Sequence, residues 1–342
     1  MQIFFPSQHH LHHPQKDYSD GFPPFEHLEI PERIDNILKG IQVASSVDLV
    51  KVNWLAQEAV YNLHDKDYVD FLLAISETVK PEQEYIPVVF RDNLSKAPLF
   101  FRGGMYCQEV GTPINADSIK AALNSAAVAE EAAKYLRENG QNAFALCRPP
   151  GHHAGRHRYG GYCFFNNAYI AARILAQQGS CAVLDIDYHL GDGSLEFADS
   201  DIPYFSLHAD PWKNYPYLDA NRILPTKYSE LMIFPPEIKG HSYLNLLEHL
   251  TTKLVKENFN YIVVSLGFDT LGTDYIQDEY IYLEPRDYTF IAQVLTKMTA
   301  KKLIVLEGGY DLPNLSDCAK YFISGLINPN SCAKSVALIN SG

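Results

Sequence analysis

The sequence predicts an α/β protein in which a largely parallel central sheet carries helices on both faces. Two observations carry that prediction. Strand-length apolar runs alternate with stretches whose apolar residues recur at helical spacing, and consecutive parallel strands need such crossover helices. Four apolar runs also end in acids, histidines or a tyrosine, and open parallel sheets bind ligands beyond the carboxyl ends of their strands.

Taken in order, residues 3–5 form a short first strand. His9-His10-Leu11-His12-His13-Pro14 then begins a loop rich in His, Pro and acids, expected to be a flexible surface segment because no carboxylate or Cys is placed to complete a rigid metal site. Pro31-Glu32-Arg33-Ile34 opens a helix with Pro in its first turn and Ile34, Ile37, Leu38 and Ile41 on one face. Tyr68, Phe71, Leu72 and Ile75 mark a second helix that ends before Pro81. From about 80 to 106, Pro81, Pro87, Pro98 and Gly103-Gly104 interrupt any period, which predicts a long irregular loop of the kind that serves function or an interface. Asp117 is placed to cap an Ala-rich helix that Gly140 stops. The next element is a buried strand at 143–147. Beyond it the pattern predicts a helix at 166–178, strands at 182–187 and 204–207, a helix at 242–257, a strand at 261–266, a helix at 286–299, a strand at 303–306 and a last helix near 317–326. No internal repeat interrupts the series, so residues 1–342 are expected to form one domain with 80–106 as its loop insertion.

Composition narrows the function. With 46% hydrophobic and 20% charged residues the chain has the material for a sizeable core, and no apolar run approaches the roughly 20 residues that cross a bilayer. A net charge of −13 argues against a nucleic-acid ligand and for a cationic substrate. Cys107, Cys147, Cys163, Cys181, Cys318 and Cys332 form no Cys-x-x-Cys pair and read as free thiols of a reducing compartment. The first residues lack the basic and apolar regions of a secretory leader, so cytoplasmic residence is expected, with export by an uncleaved signal as the alternative.

The polar strand ends carry the chemistry. They are Arg148-Pro149-Pro150-Gly151-His152-His153, the run through Asp185, Asp187 and His189, Asp269, and Glu307-Gly308-Gly309-Tyr310. Residues two apart on a strand share a face, so Asp185, Asp187 and His189 should converge, and carboxylates crowded at an apolar strand's mouth call for a cation between them. Any one of these residues alone is more often a satisfied cap; four together at one end of a sheet point to an active site. Asp187, His189 and Asp269 supply three metal ligands and leave positions open, as in catalytic zinc, while the two carboxylates keep Fe²⁺ and Co²⁺ as competitors. His152 and His153 are placed to take a proton from water and return it to a leaving amine, with Asp185 and Asp192 tuning their rings. Tyr310 is suited to donate a hydrogen bond to a developing oxyanion.

Through these residues and their neighbours the chain resembles the histone deacetylase superfamily, and within it the bacterial acetylpolyamine amidohydrolase-like branch. The resemblance rests on six motifs in order: Arg148 to Ala154, Gly160 to Asn167, Asp185 to Gly193, Ser206-Leu207-His208, Ser265 to Asp269, and Glu307 to Tyr310. It implies an arginase/deacetylase-like fold, zinc on Asp187, His189 and Asp269, and a structural potassium ion near Asp185, Asp187, His189, Ser206 and Leu207. It further implies that Tyr162 and Tyr215, with Gly161 beside them, wall an acyl-amine tunnel, that Arg33 lies in an acetate-release cavity, and that the 80–106 insertion pairs the chain into a homodimer. The expected activity is zinc-dependent hydrolysis of the acetyl amide of acetylated primary amines, either acetyl-lysine in proteins or peptides or acetylpolyamines. A non-catalytic acyl-lysine-binding member of the fold and an arginase-like ureohydrolase are the alternatives; neither a nucleic acid nor a membrane is an expected partner. The chain departs from the pattern at Leu190, which replaces a second His, and at Phe100 and Gly111, which stand where polyamine enzymes carry acids. Poor discrimination between acetyl-lysine and small acetylated amines is therefore expected, with Glu109, close but out of register, or Glu82 or Glu84 as the substrate-binding acid that restores part of the ammonium site.

Overall fold

The structure is a computed structural model that describes residues 1–19, 23–218 and 227–329. After β1 (Gln2–Pro6) the chain forms a small antiparallel ribbon, β2 (Lys16–Asp17) with β3 (Phe25–Glu26), and then α1 (Glu32–Ala44). Edge strand β4 (Asp48–Val52) precedes helices α2 (Gln57–Leu63), α3 (Lys66–Ser76), α4 (Leu99–Tyr106) and α5 (Ser118–Asn139). The central part runs β5 (Ala143–Ala145), α6 (Asn167–Leu175), β6 (Cys181–Asp185), α7 (Asp192–Phe197), β7 (Tyr204–His208) and β8 (Ser229–Ile233). It closes with α8 (Gly240–Glu257), β9 (Tyr261–Leu266), α9 (Asp287–Thr296), β10 (Lys301–Leu306) and α10 (Leu312–Ile327).

Among the described residues eight strands make one sheet in the order β4-β1-β5-β10-β9-β6-β7-β8, and every neighbouring pair is parallel. The central strands are β-branched and apolar because both of their faces are covered. Alternation sorts them: Cys181, Val183 and Val263 join the core under α5 and α6, whereas Ala182, Leu184, Ile262 and Val264 join the core under α1, α8, α9 and α10. The register places Asp185 opposite both Ser265 and Ser206, and Leu306 opposite Leu266. The loops that leave β6, β7, β9 and β10 therefore emerge at the same end of the sheet.

Three expectations are corrected. Residues 9–13 are docked rather than flexible: His9–Leu11 forms a 3₁₀ turn, His12 is buried against the Ser118 hydroxyl at 2.8 Å, and Arg148 donates to the His9, His12 and Glu29 carbonyls. The partner that docks them lies far along the chain, out of reach of any local pattern. The 80–106 stretch is not irregular throughout, since α4 starts after Pro98 and includes Gly103 and Gly104. Those glycines serve close packing, because a Cβ at Gly104 would fall 1.5 Å from the Val89 carbonyl oxygen. Asp117 precedes α5 without a side-chain cap bond; Ser118 Oγ instead accepts the Asn115 N–H at 2.9 Å. Gly140 ends that helix at φ 63°, as its sequence position predicts.

Cys107, Cys147, Cys163, Cys181 and Cys318 are buried free thiols, and Cys332 lies outside the described residues. Among the described residues no helix is long and apolar enough to cross a membrane.

Buried neutral histidines make the fold acid-sensitive. His64 sits between the Gly155 carbonyl, 2.8 Å from Nδ1, and the Asn166 N–H, which donates to Nε2 at 3.0 Å; burial lowers its pKa to about 4. Between the ordinary value of 6.5 and that value, the unfolded chain binds a proton that the folded chain refuses, so stability falls as pH falls through this window. The slope is about 1.4 kcal/mol per pH unit for each such histidine. Urea unfolding between pH 6.5 and 4.5 should therefore be less pH-dependent in His64→Gln by that amount, and an unchanged slope would count against the burial argument.

Candidate metal centre and active-site pocket

The centre forms where β6 lets go of the sheet. Asp185 Oδ1 accepts the Asp187 N–H at 3.1 Å and turns the chain, so Asp187 and His189 project from a loop. Strand alternation thus does not bring the trio together, contrary to the sequence expectation; backbone-to-carboxylate bonds do. Asp187 Oδ1 accepts the His189 N–H at 2.9 Å and its Oδ2 accepts the Gly308 N–H at 2.9 Å, while Asp269 Oδ1 accepts the Tyr188 N–H at 3.1 Å. Each acid is aimed by an amide that follows a different strand, Gly308 after β10 for Asp187 and Tyr188 after β6 for Asp269.

Asp187, His189 and Asp269 are buried, and each offers one ligand atom within 4.8 Å of the others. This donor set fits a divalent cation on two observations. Asp269 Oδ2 is buried with His189 Nδ1 3.3 Å away, and no group outside the triad donates to it. Burial and the adjacent Asp187 charge also push the Asp269 carboxyl up to about 7, the mark of a negative charge that lacks compensation. His189 moves up to about 9, because its bonds to Asp187 and Asp269 outweigh burial. Gly308 is required for the approach, since a Cβ there would lie 2.3 Å from Asp269 Oδ2 and 2.8 Å from Asp187 Oδ2.

His152 and His153 lie beside the triad with ring centroids 4.1 Å apart. His152 Nδ1 is 3.1 Å from Asp185 Oδ2 and its Nε2 is 3.7 Å from Asp187 Oδ1. Burial opposes its positive charge, but the Asp187 and Asp185 carboxylates prevail and raise its pKa well above the ordinary range. His153 Nδ1 is 2.7 Å from Asp192 Oδ1, yet burial and the neighbouring His152 lower its pKa to about 3. A cation held by Asp187, His189 and Asp269 would offset the field that raises His152. Asp192 is itself oriented by Arg158 at 2.9 Å and by Gln108 at 2.9 Å.

Tyr310 is buried, and burial raises its pKa well above the ordinary range, so its hydroxyl stays protonated and able to donate. Arg33 stands behind it with its guanidinium carbon 4.6 Å from the ring centroid. That guanidinium donates to the Gly309 and Glu307 carbonyls at 2.6 Å and to Glu29 Oε1 at 2.7 Å. Ser206 sits opposite Asp185 with its hydroxyl 2.7 Å from His208 Nδ1, and Leu207 is buried beside it. Leu190 is buried in the apolar core.

These groups open into a cavity of about 730 Å³ whose lining includes His152, His153, Gly161, Tyr162, Tyr215 and Tyr310. Asp17, Glu109 and Asp278 also line it, and among the described residues no Lys or Arg does. Phe100 is 56% exposed and lies outside the lining, so it takes no part in the pocket. Sequence reading missed Asp17, which reaches the pocket from the two-residue strand β2 and accepts the Tyr162 hydroxyl at 2.6 Å, 145 residues away. It also missed the role of Glu307, whose Oε2 accepts the Gly151 and His152 amides at 2.7 and 3.1 Å while Oε1 accepts the Ser265 hydroxyl at 2.9 Å. A buried acid at a strand end was visible there, but its partners were not.

The family model described as "Histone deacetylase domain" matches residues 27–326. The chain belongs to the histone deacetylase family, with the arginase/deacetylase fold, and is a hydrolytic deacetylase. It is 31% identical over 337 residues to the acetylpolyamine amidohydrolase of Mycoplana ramosa, covering 92% of this chain and 96% of that protein. Acetylpolyamine amidohydrolase 1 of Pseudomonas aeruginosa is 29% identical over 338 residues, with 91% and 94% covered. The crystal structure of acetylpolyamine aminohydrolase from Burkholderia pseudomallei matches with a TM-score of 0.88 at 25% identity, over 95% of this chain and 98% of that one.

Gly308→Ala should lower the unfolding free energy by about 1–3 kcal/mol, the usual cost of forcing a methyl group into packed atoms. Urea unfolding beside the parent protein reads this directly, and equal stability would mean that the carboxylates are not packed against Gly308.

Proposed function

We propose that the protein is a zinc-dependent deacetylase that hydrolyses the acetyl amide of acetylated primary amines, with acetylpolyamines favoured over acetyl-lysine. One observation carries the reading: the Asp187, His189 and Asp269 triad, the His152–His153 pair and Tyr310 line one cavity. The acid lining of that cavity supports the substrate preference, because among the described residues Asp17, Glu109 and Asp278 line it outside the triad and no Lys or Arg does, a field that attracts a substrate with a second ammonium group. The names of the relatives point the same way. Among the described residues a single group of three metal ligands is gathered, which favours this reaction over ureohydrolysis at a metal pair.

Zinc held by Asp187, His189 and Asp269 would polarise the acetyl carbonyl and acidify water. Fe²⁺ or Co²⁺ suits the same donors. His153, neutral and held through Nδ1 by Asp192, accepts the proton of the attacking water through its free nitrogen. His153 then returns that proton to the departing amine, while His152, held by Asp185 at 3.1 Å, stands beside it as the second imidazole of the pair. Tyr310 donates its hydroxyl to the oxygen that gains charge when the carbonyl is attacked. Arg33 holds the Tyr310 turn through the Gly309 and Glu307 carbonyls, and the acetate-release role is assigned to it by resemblance to the family.

Residues 1–342 are read as one domain of a cytoplasmic enzyme, with potassium bound near Asp185, Ser206 and Leu207 and the Asp187 and His189 backbone. Val88, Phe90, Phe100 and Phe101 leave 40–76% of their surface exposed in the insertion, and a second copy of the chain would cover them. The acidic balance of the chain speaks against a nucleic-acid partner.

The test of function is turnover of acetylputrescine, an acetyl-lysine peptide and arginine by zinc-loaded protein, scored for acetate and urea. Acetate from acetylputrescine is expected; urea, or no product, would overturn the proposal. Asp187→Ala and Asp269→Ala should lose bound zinc and activity together, whereas Tyr310→Phe should keep zinc and lose roughly 10²- to 10³-fold in kcat. Full zinc occupancy in either alanine variant, or an unimpaired Tyr310→Phe, would contradict these assignments. Light scattering should give a dimer at micromolar concentration, and a monomer would remove the insertion from that role.

A further inference from the structure

Tyr162 stands at φ 65° directly after Gly161 at φ 53°, so a tyrosine occupies the left-handed region that its side chain disfavours. Such a conformation persists only where its surroundings hold it. Glu109 Oε1 accepts the Gly161 N–H at 2.9 Å and the Thr112 hydroxyl at 2.6 Å, and Thr112 Oγ1 in turn accepts the Tyr162 N–H at 2.9 Å. Glu109 Oε2 accepts the Gly111 N–H. Both peptide N–H groups of the strained pair are thus tied to one carboxylate, one directly and one through a hydroxyl.

We propose that Glu109 and Thr112 are positioning residues whose bonds clamp the Gly161–Tyr162 backbone and so set the Tyr162 ring as a wall of the pocket. This deepens the proposed deacetylase reading and rests on it. It assigns Glu109 a different task from gripping a substrate's far ammonium. Three donors of the protein already occupy the Glu109 carboxylate, and an ammonium anchor needs lone pairs free and aimed at the ligand. The far end of the ring is fixed independently, by the Tyr162 hydroxyl on Asp17 and by the His27 ring with centroids 4.7 Å apart. The wall matters to the reaction because the Tyr162 ring meets the Tyr310 ring edge-on at 5.5 Å. A wall that slackens would let the acyl group drift relative to the Tyr310 hydroxyl, lowering kcat as well as raising KM.

Thr112→Val removes the relay hydroxyl without changing charge, and Thr112→Ser keeps it. The comparison is kcat and KM for acetylputrescine and for N-acetylbutylamine, which has the same stem and no ammonium group, with Glu109→Gln alongside. Thr112→Val should lose about tenfold in kcat/KM on both substrates, the size expected for one buried hydrogen bond, and Thr112→Ser should restore it. Glu109→Gln should also impair the uncharged substrate. A Glu109→Gln defect confined to acetylputrescine, with Thr112→Val unimpaired, would make Glu109 the ammonium anchor and overturn the clamp. If the zinc-loaded parent turns over neither substrate, the deacetylase reading fails, and a crystal structure of Thr112→Val then judges the clamp alone. Relaxation of Tyr162 to negative φ supports it, and an unmoved Tyr162 overturns it.

Discussion

Two carboxylates, Asp187 and Asp269, are buried side by side at the ends of neighbouring strands, and the rest of the site is built around their mutual repulsion. In water the pair would separate. Here the parallel sheet prevents it, because β6 and β9 are adjacent and in register, and the residues beyond them must share one end of the sheet. Backbone amides of Tyr188, His189 and Gly308 neutralise part of the charge, glycine at 308 makes room for it, and Asp269 Oδ2 meets no donor outside the triad. A buried anionic oxygen in that state is costly unless a cation completes it. The fold therefore stores the metal's requirement in its strand order.

A second layer of buried charge holds the walls in place. Glu29 meets Arg33 at 2.7 Å and Arg148 at 2.9 Å, all fully buried. Arg148 leaves the end of β5 and fastens the N-terminal segment by its carbonyls, while Arg33 leaves α1 and fastens the turn that carries Tyr310. Removing one member of such a trio strands the others without compensation, so the three behave as a unit. The N-terminal segment so fastened also delivers Asp17 to the Tyr162 hydroxyl. Charges far from the reacting atoms thereby decide where the aromatic walls stand.

How much of this could be read from sequence depended on the range of the interaction. Strands β6, β9 and β10 were legible because strands buried on both faces must be continuously apolar, and their polar termini stood out against that background. Edge strands β4 and β8 were missed, since one-sided burial leaves short runs such as Ser229–Ile233 looking like polar loop. Six-residue α7 carries too few turns for a period. The convergence of Asp187 and His189 was anticipated, but through strand alternation, whereas capping by Asp185 breaks the strand and a loop aims them. Asp17, the pairing of Glu29 with Arg148 and the Glu109 bond to Gly161 were invisible because the partners lie tens to more than a hundred residues apart and obey no local pattern.

One divalent ion should belong to Asp187, His189 and Asp269. Crystals grown with zinc and measured above and below the zinc absorption edge test it most directly. One strong anomalous peak per chain is expected, about 2.0–2.2 Å from one atom of each of these three residues. A peak bound by other residues, or an empty site at saturating zinc, would contradict it.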